Sequence, residues 1–173
     1  MSTEMPPPAR IYRLMDSQAE AKVSIGEVIA HAKYELMIFD QSPTTLRERE
    51  FGRPQNIDLM RALLLGSRKN RARRIRIALH EIQGIESEMP RLISLLGQFS
   101  DLLSIHRTTG AARIVQDVLL IADEDAIWRK PVATHPRSIV TLHDANETKP
   151  YIDRFEEIWL LSENAVSDRG AGL

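Results

Sequence analysis

Apolar residues recur along this chain in two alternating rhythms. Ile25, Val28, Ile29 and Ala32 keep the spacing of one helix face. They follow Ser17-Gln-Ala-Glu20, which has the form of a capping box, and the spacing predicts a first helix over about 18–33. Leu36-Met-Ile-Phe39 is then a short continuous apolar run ending at Asp40, as in a buried strand. The pair repeats twice. Ile57, Met60, Leu63 and Leu64 mark a helix ending near Gly66, ahead of a strand at 75–79 that ends at His80-Glu81. Leu92, Ile93, Leu95 and Leu96 mark a helix starting near Ser87, with Pro90 in its first turn. A strand at 102–105 follows and ends at His106-Arg107.

The rhythm then changes. Val118–Ala122 and Ala126–Trp128 flank Asp123-Glu-Asp125, the pattern of a hairpin. Residues 130–148 read as irregular with a short strand at 138–142, and Tyr151, Phe155, Ile158 and Trp159 predict a closing helix behind Pro150. The polar stretch 41–55, carrying Pro43, Gly52 and Pro54, reads as a long loop that could serve as a flap. Helices alternating with strands predict an α/β fold: a mixed, mostly parallel sheet flanked by helices on both faces, with a late hairpin and a closing C-terminal helix. No internal repeat interrupts it, so a single domain is expected over 16–165. Residues 1–15, stiffened by Pro6, Pro7 and Pro8, read as an extended tail with Ile11, Tyr12 and Leu14 laid against the body. Residues 166–173 read as a frayed tail.

Composition narrows the function classes. Among 173 residues, 23 Lys and Arg meet 24 Asp and Glu, so the molecule as a whole is no polyelectrolyte binder. The absence of cysteine removes disulfides, thiolate metal sites and cysteine nucleophiles. No apolar stretch reaches the ~20 residues of a membrane span, and the N-terminal residues lack the apolar core of a signal peptide, so a cytoplasmic location is expected. No glycine-rich phosphate loop, dinucleotide fingerprint or serine elbow occurs.

The element order resembles one half of the phospholipase D fold. In that superfamily a hairpin strand carries His-x-Lys-x-x-x-x-Asp, and two halves, in one chain or a dimer, build one active site. Here the aligned stretch is Gln116-Asp-Val118-Leu-Leu-Ile-Ala-Asp123. The Asp matches at Asp123, while Gln116 stands for the His and Val118 for the Lys. The Gly-Ser-x-Asn element that usually follows is replaced by Trp128-Arg-Lys-Pro131. Pro90-Arg-Leu92, Asp123, Arg129 with Pro131, and Phe155-Glu-Glu-Ile-Trp159 further resemble an uncharacterised phospholipase-D-like domain often appended C-terminally to GNAT-type acetyltransferases. The resemblance implies the fold, a homodimer, and an acetyltransferase-type partner.

Phosphodiester transfer in this fold needs a nucleophile and a proton donor. Glutamine at 116 supplies neither, and valine at 118 removes a phosphate-stabilising cation. The expected function is therefore a non-catalytic binding or interaction module, a pseudoenzyme, with no cofactor and no metal. Asp123, Arg129 and Lys130 are candidates for a small anionic ligand; alternatively Arg129 pairs with Asp123 or Asp117 and locks the hairpin. A second reading is a hydrolase or phosphotransfer enzyme with a relocated site using His80, Glu81, His106 and Arg129; His80 and His106, with Glu81 and Arg107 beside them, end strands at the edge where open α/β sheets bind ligands. Against it, these are partly exposed strand-end residues bonded to backbone or water. No His-x-x-x-His or Asp-x-Asp spacing supports a metal, and His31 reads as a helix-surface residue. A third reading is weak nucleic-acid binding through Arg68, Lys69, Arg71, Arg73, Arg74 and Arg76. No aromatic residues interleave this cluster to stack bases, so nucleic acid is not the expected partner. The plainer reading is a helix C-terminus whose cations complement its dipole.

Overall fold

A computed structural model describes residues 3–66 and 73–166. Strands run β1 (Ile11–Met15), β2 (Glu35–Asp40), β3 (Arg74–Leu79), β4 (Leu103–Thr108), β5 (Val118–Ala122), β6 (Ala126–Lys130), β7 (Ser138–Leu142) and β8 (Ser162–Val166). Helices are α1 (Gln18–His31), α2 (Pro43–Glu48), α3 (Pro54–Leu65), α4 (Ile85–Glu88), α5 (Pro90–Gln98) and α6 (Ala145–Leu160). The strands form one mixed sheet in the order β1-β7-β6-β5-β2-β3-β4-β8. β2, β3 and β4 are parallel, and every other pairing is antiparallel.

The centre of the sheet explains its own sequence. β2, β3 and β5 are covered on both faces, and strands so buried must be apolar nearly throughout. Alternate side chains divide between two cores. Leu36, Ile38, Ile75, Ile77, Val118, Leu120 and Trp128 meet α1, α3 and α5, whereas Met37, Phe39, Ala78, Leu119, Ile121 and Ile127 meet α6. Helices therefore cover both faces, as the pattern predicts. Phe155, fully buried, anchors α6 with Ile158; burying a side chain of this size contributes about 1.5–3 kcal/mol.

Several boundaries depart from expectation. Ile11–Met15 is a sheet strand, pairing antiparallel with β7 from Ile11–Leu142 to Met15–Ser138. Within the polar stretch 41–55, Ser42 and Thr45 close a capping box around the short α2. The closing helix starts at Ala145, because the Asp144 carboxylate accepts the Glu147 amide and sets the N-cap; Pro150 lies inside the helix. Ser162–Val166, read as the helix end and the start of a tail, adds β8 to the edge at β4.

Candidate functional site

The parallel strands and β6 deliver their last residues to one edge of the sheet. Asp40, the final residue of β2, is completely buried. Arg49, just past α2, grips it twice, Nε donating to Oδ2 at 2.9 Å and Nη2 to Oδ1 at 3.2 Å, and the Gln41 amide donates to Oδ1 at 2.7 Å. This pairing neutralises the carboxylate.

Lys130 ends β6 directly across from Val118 in the β5–β6 register. Cross-strand partners project to the same face, so the Lys130 side chain leaves the sheet beside Val118. Lys130 is only 7% exposed, and its side chain makes no hydrogen bond or ion pair among the described residues. Burial, then the neighbouring Arg49, hold its ammonium below the ordinary lysine range, against the opposing pull of Asp40.

Two residues back on the same face, Trp128 is buried, and its indole N–H has no partner. On the adjacent β7, Val140 and Leu142 face α1, so Ser138, in alternation with them, faces it too; its buried hydroxyl is also unpartnered. Lys130 and Trp128 line a cavity with Gln18, Lys22, Glu48 and Arg49. It offers about 40 Å³ to the centres of water-sized groups, more than one water requires. Buried donors without acceptors are rare in native interiors and mark places where a ligand or solvent completes the bonding.

Arg129 does not share this cavity. Strand alternation sends it to the opposite face, where its guanidinium lies 4.7 Å from the centre of the Tyr151 ring. The pairing expected between Arg129 and Asp123 or Asp117 is corrected accordingly. Asp117 is held bidentately by Arg154, both bonds at 2.9 Å. Asp123, in the hairpin turn, accepts the amides of Lys33, Tyr34 and Glu35 at 2.9–3.2 Å and so fixes the α1–β2 corner. Gln116 is exposed at the start of the hairpin, where its carbonyl accepts the Ala133 amide.

His80 and His106 share the α6 face, and both are engaged. His80 Nδ1 lies 2.5 Å from Thr108 Oγ1, and Nε2 lies 2.6 Å from the Val115 carbonyl. His106 Nδ1 contacts Ser162 Oγ at 2.8 Å, and its ring stacks on Trp159 at 3.6 Å. Burial, then the Arg76 charge, push the His106 imidazole below its ordinary range. Glu81 pairs with the exposed Arg113, and Arg107 sits exposed opposite Glu163 on the edge strand. Neither histidine lines the cavity at Lys130.

Among the described residues of the basic cluster, Arg74 and Arg76 form ion pairs, whereas the buried Arg73 Nε has no hydrogen-bond partner; Arg68, Lys69 and Arg71 lie outside the described residues. Arg76, 5% exposed, donates to Glu156 through both terminal nitrogens and to Glu35 through Nε and Nη2, while stacking against Phe155 and Trp159. Its burial would lower the guanidinium pKa, but the hydrogen bonds to Glu156 and Glu35 raise it overall. Arg74 pairs with Glu35 at 2.9 Å, and Arg73 lies over Tyr34.

Sheet order and two-sided helix cover match a phospholipase-D-like α/β fold. Nuc from Salmonella typhimurium, a phospholipase D family member, superposes with a TM-score of 0.64 at 10% identity, over 92% of this chain and 100% of that one. NucT from Helicobacter pylori gives 0.58 at 12% identity, over 91% and 100%. TrmBL2, an archaeal chromatin protein with a novel mode of DNA binding, gives 0.60 at 13% identity, over 95% of this chain and 57% of that one. A comparison with curated proteins found no match. In sequence, residues 17–169 match the domain of unknown function DUF7931, and the chain belongs to that family.

Proposed function

We propose that this protein is a non-catalytic binding module whose ligand is a small phosphate- or sulfate-like anion held at Lys130. One observation carries the reading: Trp128 and Ser138 present buried donors without acceptors on one face, Lys130 stands on the same face with no hydrogen-bond partner among the described residues, and Lys130 and Trp128 line a single cavity. A tetrahedral oxyanion supplies acceptors to several converging donors at once, and charge-assisted bonds of this kind are the strong ones. Arg49 adds a second, partly buried cation whose charge is balanced by Asp40, and Lys22 and Glu48 in the lining carry opposite charges, so Lys130 leaves the pocket one positive charge in excess. No histidine lines the cavity, which leaves the bound anion without the imidazole that phosphodiester transfer in this fold requires.

The chain would act as a homodimer, with an acetyltransferase-type protein as the partner class that the family resemblance implies. Titration calorimetry with inorganic phosphate and sulfate tests the site. Saturable 1:1 binding, together with no hydrolysis of bis(4-nitrophenyl) phosphate, is the expected result. Absence of binding, or turnover lost in Lys130→Ala, would overturn the reading. Light scattering at micromolar protein tests the dimer, and a clean monomer would exclude it.

A further inference from the structure

At the other end of β6, roughly 16 Å from Lys130 by strand rise, three residues remote in sequence converge. His31 is the last residue of α1, Asp125 closes the β5–β6 turn, and His143 follows β7. One ligand atom from each lies within 4.8 Å of the other two. His31 Nε2 sits 2.7 Å from Asp125 Oδ1, and the His31 and His143 rings meet edge to face with centres 5.2 Å apart. We propose that these residues form a divalent transition-metal site of the zinc class.

The donor set is two imidazole nitrogens and one carboxylate oxygen. That combination suits Zn²⁺ and its neighbours, whereas Mg²⁺ and Ca²⁺ prefer all-oxygen shells. Zinc bonds nitrogen at about 2.0–2.1 Å, which places neighbouring tetrahedral ligands about 3.3 Å apart. The His31–Asp125 pair therefore opens by about half an ångström and His143 turns inward to complete the set, movements within reach of side-chain rotation. All three residues are partly exposed, leaving the fourth position to water.

The surroundings hold the ligands in place. The Asp123 carboxylate binds the amides of Lys33, Tyr34 and Glu35, tying the residues just after His31 to the turn that carries Asp125. The Asp144 amide donates to the Asp125 carbonyl at 3.0 Å, tying His143's neighbour to the same turn. His143 itself takes a left-handed backbone conformation, φ 59°, which few non-glycine residues adopt and which concentrates at functional positions. The C-terminal end of α1 carries the negative pole of the helix dipole and favours a cation at His31. An ordinary ion pair accounts for His31 and Asp125 but gives His143 no role. A metal uses all three, and it joins α1, the hairpin turn and the β7–α6 corner, so its binding adds directly to fold stability.

The test uses the full chain, stripped with EDTA and titrated with ZnCl₂ by calorimetry, with melting curves alongside. One Zn²⁺ per chain at micromolar or tighter affinity, with a raised melting temperature, is expected. Millimolar MgCl₂ should not compete. His143→Asn, which tolerates the left-handed backbone, and Asp125→Asn should each weaken binding at least tenfold while circular dichroism remains native. The proposal is overturned if the wild type takes up no zinc saturably. It is equally overturned if His143→Asn binds as tightly as the wild type, since the ion would then sit elsewhere. Neither result bears on the anion cavity.

Discussion

Two buried cations sit on opposite faces of one sheet and have opposite surroundings. Arg76, against α6, meets two carboxylates and two aromatic rings, and its hydrogen bonds stay inside the chain. Lys130, against α1, meets no carboxylate within bonding distance and lies beside the unpartnered donors of Trp128 and Ser138. Burying a charge is costly unless it is paired and hydrogen-bonded. The first cation is compensated by the fold and serves it. The second has only the Asp40 charge nearby and no hydrogen-bond partner among the described residues, and on that difference the proposed anion site rests.

Substitutions at the two cations sharpen this contrast most. Arg76→Met should destabilise the protein by about 2–3 kcal/mol, because it strands Glu35 and Glu156 and loses ring packing; half-exposed Glu156 keeps the loss at the lower end. Lys130→Met should instead be neutral or stabilising by about 1 kcal/mol, since it removes a buried charge that has no partner to strand. Chemical denaturation of the two variants side by side measures both.

A smaller effect separates the donors within the cavity. Trp128→Phe removes the indole N–H together with part of a fully buried ring system, so stability should fall by about 1–3 kcal/mol. Phosphate affinity should fall about 2–10-fold, the worth of one hydrogen bond. An unchanged affinity in calorimetry would remove Trp128 from the binding shell.

The two faces should also answer differently to pH. Hydrogen bonding from Arg76 holds Glu156 below the ordinary glutamate range. A depressed folded pKa means the unfolded chain binds the proton first, so this contribution is present above the unfolded glutamate value and is lost as pH falls through the folded one. His106, depressed by burial and then by Arg76, has the same sign and begins to withdraw stability below its unfolded value of about 6.5. Melting temperature should therefore fall in two stages on acidification, and the upper stage should vanish in His106→Gln. At the cavity the dependence lies at alkaline pH. Phosphate affinity should decline there at a lower pH than an ordinary lysine titrates, because Lys130 loses its proton early.

Most of the architecture was legible in the sequence, for reasons particular elements make plain. The apolar runs of β2, β3 and β5 are continuous because both their faces are covered, and no polar alternation hides them. β8 was invisible because Ser162-Glu-Asn-Ala-Val166 is an edge strand with few apolar positions, held by its pairing to β4 rather than by burial. β1 follows three prolines and presents Tyr12 and Leu14 to solvent, so it reads as a tail until β7 is seen beside it. The site was half legible. Lys130 was a candidate for the proposed anion site, but grouping it with Arg129 ignored strand alternation, which separates the two. Asp40 and Arg49 gave no signal, because their contact is made by the fold. Likewise His31 and Asp125 are 94 positions apart, and only the corner at the end of α1 joins them.

The most direct test is the melting temperature of wild type and Lys130→Met, each with and without millimolar phosphate. The account predicts a variant at least as stable as the wild type without phosphate, and a rise with phosphate in the wild type alone. A variant that is less stable without phosphate, or a wild type that gains nothing from it, would contradict the claim that this lysine is kept for a ligand.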